Sequence, residues 1–240
     1  AGVDSTNTVR TSRPTTLAFV MLKDGHAEYT FYDENSAGKM ISSREIPQFP
    51  PVEAAQFGAI SLIGEPCGLT YETLAMQLKD SAIISLDPNI RPGFITDEQS
   101  YRTRLERMCR IADIIKVSDA DLQWLYPNTD FTECAHRWLS GTTQIAVITK
   151  GEQGATALTR NFEIAVPAFE ISLADTVGAG DSFNAGLLSG LRQRGFLDKK
   201  RIGSISVNDL QFAMELASHV SAITVSRPGA DPPWHHELNI

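Results

Sequence analysis

From residue 57 onward one rhythm governs the chain, and it restricts the fold class more than any other feature. Short apolar runs at 58–63, 82–86, 113–117 and 145–149 alternate with amphipathic stretches at 70–79, 98–111, 120–125 and 132–139. The short runs predict strands and the longer stretches predict helices. Strand, helix, strand at this spacing means right-handed βαβ crossovers, hence an α/β fold with a mostly parallel central sheet. Two short runs, 155–159 and 162–166, turn at Arg160-Asn161 and predict a hairpin. The remainder is helical over 180–191 and 207–223, with Gly195 where the first of these helices should stop.

Ahead of that body lies a different pattern. Residues 15–22 and 27–32 are rich in β-branched and aromatic types and flank Lys23-Asp24-Gly25-His26, which predicts a hairpin with Asp-Gly at its turn. The first run is apolar on both faces. Such a strand can cap a site, meet another subunit in a homodimer, or pack on its own domain. Residues 46–52 hold three prolines and read as a linker, dividing the chain into a β segment over 1–45 and an α/β body over 46–240.

Charge and cysteine usage narrow the function. The 240 residues carry 21 Lys and Arg against 29 Asp and Glu, a net charge of −8, which argues against a general nucleic-acid binder. The apolar stretches 59–64 and 145–149 are far too short to span a bilayer, so no membrane association is expected. The chain opens at Ala1 without a basic then apolar leader, and a cytoplasmic setting is the expectation. Cys67, Cys109 and Cys134 are too few and too scattered for a zinc site or a disulfide framework.

Open α/β sheets bind ligands beyond the carboxyl ends of their strands. That directs attention to Gly64-Glu65, to the segment from Asp87 to Arg91, to Ser118-Asp119-Ala120-Asp121, to Thr149-Lys150-Gly151 and to the residues after Ile171. The most informative stretch is Asp175-Thr176-Val177-Gly178-Ala179-Gly180-Asp181-Ser182-Phe183. Its glycines can bring main-chain N–H groups close to an anion at the positive end of the following helix. Asp181 then stands beside a phosphate locus, where a carboxylate is useful mainly as a base for an attacking hydroxyl. A plainer reading makes Asp181 a first-turn carboxylate that only complements the helix dipole. Phe183 stands where a dinucleotide fingerprint needs glycine, and nothing matches a P-loop.

The same stretch resembles, letter for letter, the C-terminal signature of the ribokinase-like (PfkB) sugar kinases. Asp87-Pro88-Asn89-Ile90-Arg91-Pro92 resembles a segment of fructokinases and 2-keto-3-deoxygluconate kinases; Thr149-Lys150-Gly151-Glu152-Gln153-Gly154 is similar to the family's nucleotide turn. Ser226-Arg227-Pro228-Gly229-Ala230 is similar to the loop closing the adenine side, and residues 61–66 and 227–238 further resemble bacterial fructokinases. The resemblance implies a three-layer sandwich whose 1–45 segment is a small β lid. It also implies transfer of the ATP γ-phosphate to a primary sugar hydroxyl, with D-fructose first and 2-keto-3-deoxygluconate or ribose as alternatives. Asp181 would be the base, and the amides of Gly178, Ala179 and Gly180 the anion hole. Arg91 would reach sugar or phosphate, the lesser alternative being an Arg after a strand that simply pairs with a nearby carboxylate. Thr149, Gly151, Gly154, Gly178, Gly180 and Ser218 would line the nucleotide site.

The family's Asn-x-x-Glu element, which organises Mg2+ through water, aligns with Ser118-Asp119-Ala120-Asp121, so the resemblance makes Asp121 the metal candidate on a shorter arm. A monovalent cation is a further candidate cofactor. The family pattern opens with a first strand, a sugar-gripping Asp and Gly-Gly-x-x-x-Asn. None of these precedes the hairpin, so the chain is expected to start inside the lid with part of its sugar pocket missing. That departure, with the altered Ser118 and Asp121, motivates a second reading: a non-catalytic nucleotide- or sugar-binding protein. His26, His136, His235, His236 and the three tryptophans, Trp124, Trp138 and Trp234, read as structural or surface residues.

Overall fold

Body strands that are apolar on both faces are stable only with helices on both sides. The computed structural model, which describes residues 2–23 and 26–238 and treats 20–31 by backbone alone, has that layering. Strands β1 (Leu17–Lys23) and β2 (His26–Tyr32) pair antiparallel as a separate two-stranded sheet, with Leu17 opposite Tyr32 and Lys23 opposite His26. The Asp24-Gly25 turn expected between them lies outside the described residues. His26, expected in that turn, is the first residue of β2. Leu17, Phe19 and Tyr32 stay exposed, and the Phe19 and Tyr32 rings meet edge to face at 5.6 Å.

The body sheet runs in sequence order: β3 (Ala54–Gly58), β4 (Ile83–Asp87), β5 (Ile114–Ser118), β6 (Ile145–Thr149), β7 (Ala155–Leu158) and β8 (Glu163–Val166). It is parallel from β3 to β6 and antiparallel from β6 to β8. Period-two alternation sends neighbouring residues into different cores. Ile84, Leu86, Ile115 and Val117 pack under α1 (Cys67–Leu78), α2 (Glu98–Cys109), α3 (Asp119–Leu125) and α4 (Phe131–Leu139). Ile83, Ile114, Ile145 and Val147 pack on the other face, against Phe183, Leu187 and Leu191 of α5 (Ala179–Gln193) and Leu210 and Met214 of α6 (Val207–Val225). Each such aliphatic side chain contributes about 1.5–3 kcal/mol of burial, so both cores are substantial.

One expected strand is displaced. Residues 58–63 do not form a strand: β3 ends at Gly58, and Ala59–Leu62 is a 3-10 turn. The run reads as apolar because Leu62 is fully buried, not because it pairs in the sheet. A side chain at position 58 would collide with the Asp87 carbonyl oxygen, so only glycine fits where the chain leaves the sheet. Ala59 follows with φ 53°, and its N–H donates to the Pro88 carbonyl at 3.1 Å. Among the described residues no helix is long and apolar enough to cross a membrane.

Candidate functional site

In-register parallel strands deliver their last residues to one edge. Gly58 faces Asp87 across β3 and β4, and Ser118 faces Thr149 across β5 and β6. The start of α5 sits above that edge. Before it, Asp175 folds the chain: its Oδ1 accepts from the Val177 N–H and its Oδ2 from the Gly229 N–H, each at 3.0 Å. Those amide donors hold its carboxyl below the usual aspartate range. Gly178 follows as the N-cap with φ 80°, a left-handed conformation that glycine adopts without strain.

Two cavities flank this helix start. The larger, of about 550 Å³, is bordered by Thr149, Gly151, Gly154, Ala179, Gly180, Phe183 and Ser218. The other, of about 390 Å³, is bordered by Gly58, Ala59, Asp87, Asn89, Asp181 and Asn184. Gly180 faces one and Asp181 the other, so the first turn of α5 is the partition. Asp181 is exposed, and its carboxylate makes no hydrogen bond or ion pair among the described residues. The Gly178, Gly180 and Asp181 amides likewise have no hydrogen-bond partner there, as expected at a helix N-terminus, whereas the Ala179 N–H reaches the Thr176 carbonyl at 3.3 Å.

The other residues singled out by sequence distribute unevenly. Thr149, Gly151, Gly154, Gly180 and Ser218 share the larger cavity, although the Ser218 hydroxyl donates to the Pro167 carbonyl at 3.0 Å. Gly178 shapes the turn beside it. Arg91 is exposed, donates to its own neighbour's carbonyl at Ile90 (3.1 Å) and borders neither cavity.

Asp121 is buried beneath the Asn89 turn. Its Oδ1 accepts from the Ile90 N–H at 2.7 Å, and its Oδ2 from the Ser118 hydroxyl at 2.6 Å and N–H at 3.1 Å. With Ser118 accepting from the Asp121 N–H, this is a capping box. Those three donors engage both oxygens of the carboxylate, and Asp121 borders neither cavity. Among the described residues no three His, Cys, Asp or Glu side chains converge to hold a metal ion directly.

Sequence reasoning pointed to the segment that opens at Asp87 but missed the buried partners that hold it, Lys116 and Asn184. Asp87 ends β4 and Lys116 lies on β5, both on the α5 side of the sheet because they follow Ile83 and Ile114 at even spacing. The Asp87 Oδ2 accepts from Lys116 Nζ at 2.9 Å and from Asn184 Nδ2 at 2.8 Å. Its Oδ1 accepts from the Asn89 N–H at 3.2 Å, in a turn where Asn89 has φ 41°. Behind that turn, burial first, then the Asp121 and Asp87 charges, push the Tyr101 phenol upward, so its hydroxyl stays protonated as it meets the Pro88 carbonyl at 3.5 Å. The sequence signal was an Asp and a Lys inside two apolar strands, at positions that face the same helix.

Comparison with known proteins agrees with this arrangement. The family described as pfkB family carbohydrate kinase matches residues 1–237. The chain is 44% identical over 212 residues to a fructokinase of Rhizobium leguminosarum bv. trifolii, covering 88% of this chain and 65% of that protein. It is 32% identical over 234 residues to fructokinase-1 of Oryza sativa subsp. japonica, covering 94% and 70%. The chain thus spans about two thirds of the length of these curated relatives. Among solved structures, fructokinase from Vibrio cholerae O395 with fructose, ADP and calcium bound superposes with a TM-score of 0.80 at 26% identity, over 92% of this chain and 70% of that one. Fructokinase from Xylella fastidiosa matches the fold with a TM-score of 0.84 at 23% identity, over 95% and 72%. A signature turn at the helix start, an α/β sandwich that superposes on these kinases and a family match over nearly all its residues place the chain in the pfkB family of carbohydrate kinases.

Proposed function

We propose that this chain phosphorylates a primary sugar hydroxyl at the expense of ATP, with D-fructose as the favoured acceptor. The observation that carries the reading is the partition: one helix start presents free amides beside the larger cavity and an unpaired carboxylate to the smaller one. Similarity to fructokinases, one of them holding fructose and ADP, supports the choice of sugar. ATP fills the larger cavity with its phosphates toward Gly180, and the sugar fills the smaller one. Asp181 takes the proton of the hydroxyl. The freed oxygen forms a bond to the γ-phosphorus as the bond to the β-phosphate bridging oxygen breaks, and ADP departs. The Gly178 and Gly180 amides and the positive end of α5 hold the charge spread over the transferring oxygens. Mg2+ bound to the nucleotide phosphates would supply further neutralisation of their charge.

The deciding assay is sugar-dependent ADP release, run with fructose, 2-keto-3-deoxygluconate and ribose. Asp181→Asn should lower turnover by about 10²–10⁴, the usual size of general-base assistance, while leaving nucleotide binding intact. Retention of more than about a tenth of the rate would refute the base role. Nucleotide binding without stimulation by any of the three sugars would leave only a binding protein.

A further inference from the structure

We infer that Asp87 is a positioning residue for phosphoryl transfer: through Lys116 and Asn184 it fixes where the start of α5, and with it Asp181, stands over the smaller cavity. The inference deepens the kinase reading and rests on it. Asp87 is 3% exposed, Lys116 4% and Asn184 6%, so all three lie in the interior beside the cavity floor. One carboxylate joins two of the cavity's walls, the Asn89 turn and α5, to β5 behind them. Its Oδ2 binds β5 through Lys116 and α5 through Asn184; its Oδ1 caps the turn that carries Asn89. The next carbonyl, of Pro88, accepts from Ala59 and ties in the end of β3.

The geometry points to positioning rather than to stability. Replacing a buried ion pair by apolar groups is often neutral or stabilising, so the pair is weak as a stabilising device. Asn184 is worse still: its Oδ1 is buried with no partner among the described residues. Turning the amide over would aim that oxygen at the Asp87 carboxylate, so the donor side is fixed on Asp87. Asn184 lies one helical turn beyond Asp181 and borders the same cavity, so holding one orients the other. Closer to the chemistry, a Cβ added at Gly180 would stand 3.1 Å from Lys116 Nζ and 4.0 Å from Asp87 Oδ2. The buried pair therefore lies directly against the turn whose amides face the phosphoryl group.

The test uses Asp87→Asn, Lys116→Met and the double variant in the full chain. Asp87→Asn must set an amide N–H against at least one donor, the Asn89 N–H in its better orientation, and leaves Lys116 without a counter-charge. It should lower kcat on the order of 10²-fold, the size of a misplaced reacting group, with KM for ATP within about twofold. The double variant removes both buried charges and should regain the unfolding midpoint of the parent without regaining kcat. Recovery of kcat together with the midpoint would overturn the proposal and leave the pair a structural one.

Amide hydrogen exchange supplies a readout independent of turnover. In Asp87→Asn, protection should fall together at Asn89 and at 182–184. A control, Lys199→Met, removes the ion pair with Asp113 ahead of β5 and should spare both segments. Uniform loss across the sheet, or unchanged protection at either segment, would also overturn the proposal. Should the parent turn over no sugar while exchange behaves as expected, the kinase reading fails and the positioning geometry stands.

Discussion

Gly178 and Gly180 are both glycine in the signature turn, but for different reasons. At Gly178 the backbone itself is the constraint: φ is 80°, and an added Cβ would lie 3.0 Å from that of Ala230. Gly178→Ala should cost about 1–2 kcal/mol of stability, the strain of a left-handed residue with a side chain. At Gly180 the constraint is the Lys116 ammonium 3.1 Å from where a Cβ would be, the movable end of a flexible chain. Gly180→Ala should therefore cost less than about 1 kcal/mol, yet it pushes the buried pair against the floor of the site and should lower turnover more steeply than stability. Urea unfolding beside turnover measures both, and the reverse ordering would show that dihedral strain dominates at Gly180. Gly178, Gly180 and Asp181 could be read from sequence because their chemistry is contiguous. The segment opening at Asp87 could be read too, but not its pairing with Lys116 and Asn184, because those bonds join residues 29 and 97 positions apart and depend on strand register and on the seat of a helix.

Elements sit where their caps and partners put them. Asp97, Asp130 and Ser206 each accept from a backbone N–H three residues on, which is why the helices after them begin where the amphipathic pattern said. The run at 58–63 deceived because apolar composition does not distinguish a strand from a buried turn; the close approach that requires glycine at 58 comes from a neighbouring strand. Between α1 and α2 the link is ionic. Glu72 accepts from Arg107 through both oxygens, one of them at 2.8 Å from Nη2, and lies 3.5 Å from Arg104 Nε. The Arg107 guanidinium holds the Glu72 carboxyl below its ordinary value of 4.5. A carboxyl depressed on folding contributes stability that is fully present above its unfolded pKa and is lost as pH falls through the folded value. Glu72→Gln should thus cost on the order of 2 kcal/mol near neutral pH, as for a hydrogen bond to a charged group. The gap from the parent should begin to close as pH drops below 4.5. Urea unfolding across pH measures it, and a gap constant down to the acid transition would show that packing, not charge, is what Glu72 contributes.

The molecule as a whole is a sheet gripped by two helical layers, and its larger cavity is assembled across one side of that grip. Thr149 and Gly154 come from the end of β6 and the start of the hairpin; Phe169, Ile171, Leu173 and Thr176 come from the segment after β8; Gly180 comes from α5, and Ser218 and Ser221 from α6. The layering was legible in sequence because it follows from alternating periods. The division of α5 between two cavities was not, because it depends on how the helix is seated above the sheet. A ligand touching so many elements binds only the folded chain and must stabilise it globally. At one hundred times its dissociation constant a nucleotide adds about 2.7 kcal/mol, which in a chain of this size raises Tm by about 5–10 °C. ADP should produce that shift in the parent, and Asp181→Asn should keep it, because Asp181 borders the smaller cavity alone. Phe183, one turn into α5, faces the larger cavity while packing in the core behind it. Phe183→Ala should lower both the resting Tm and the ADP-induced rise, since core and cavity share that ring. If Asp181→Asn also abolished the rise, the helix start would not be a partition, and a single merged pocket would have to replace the two-cavity account of phosphoryl transfer.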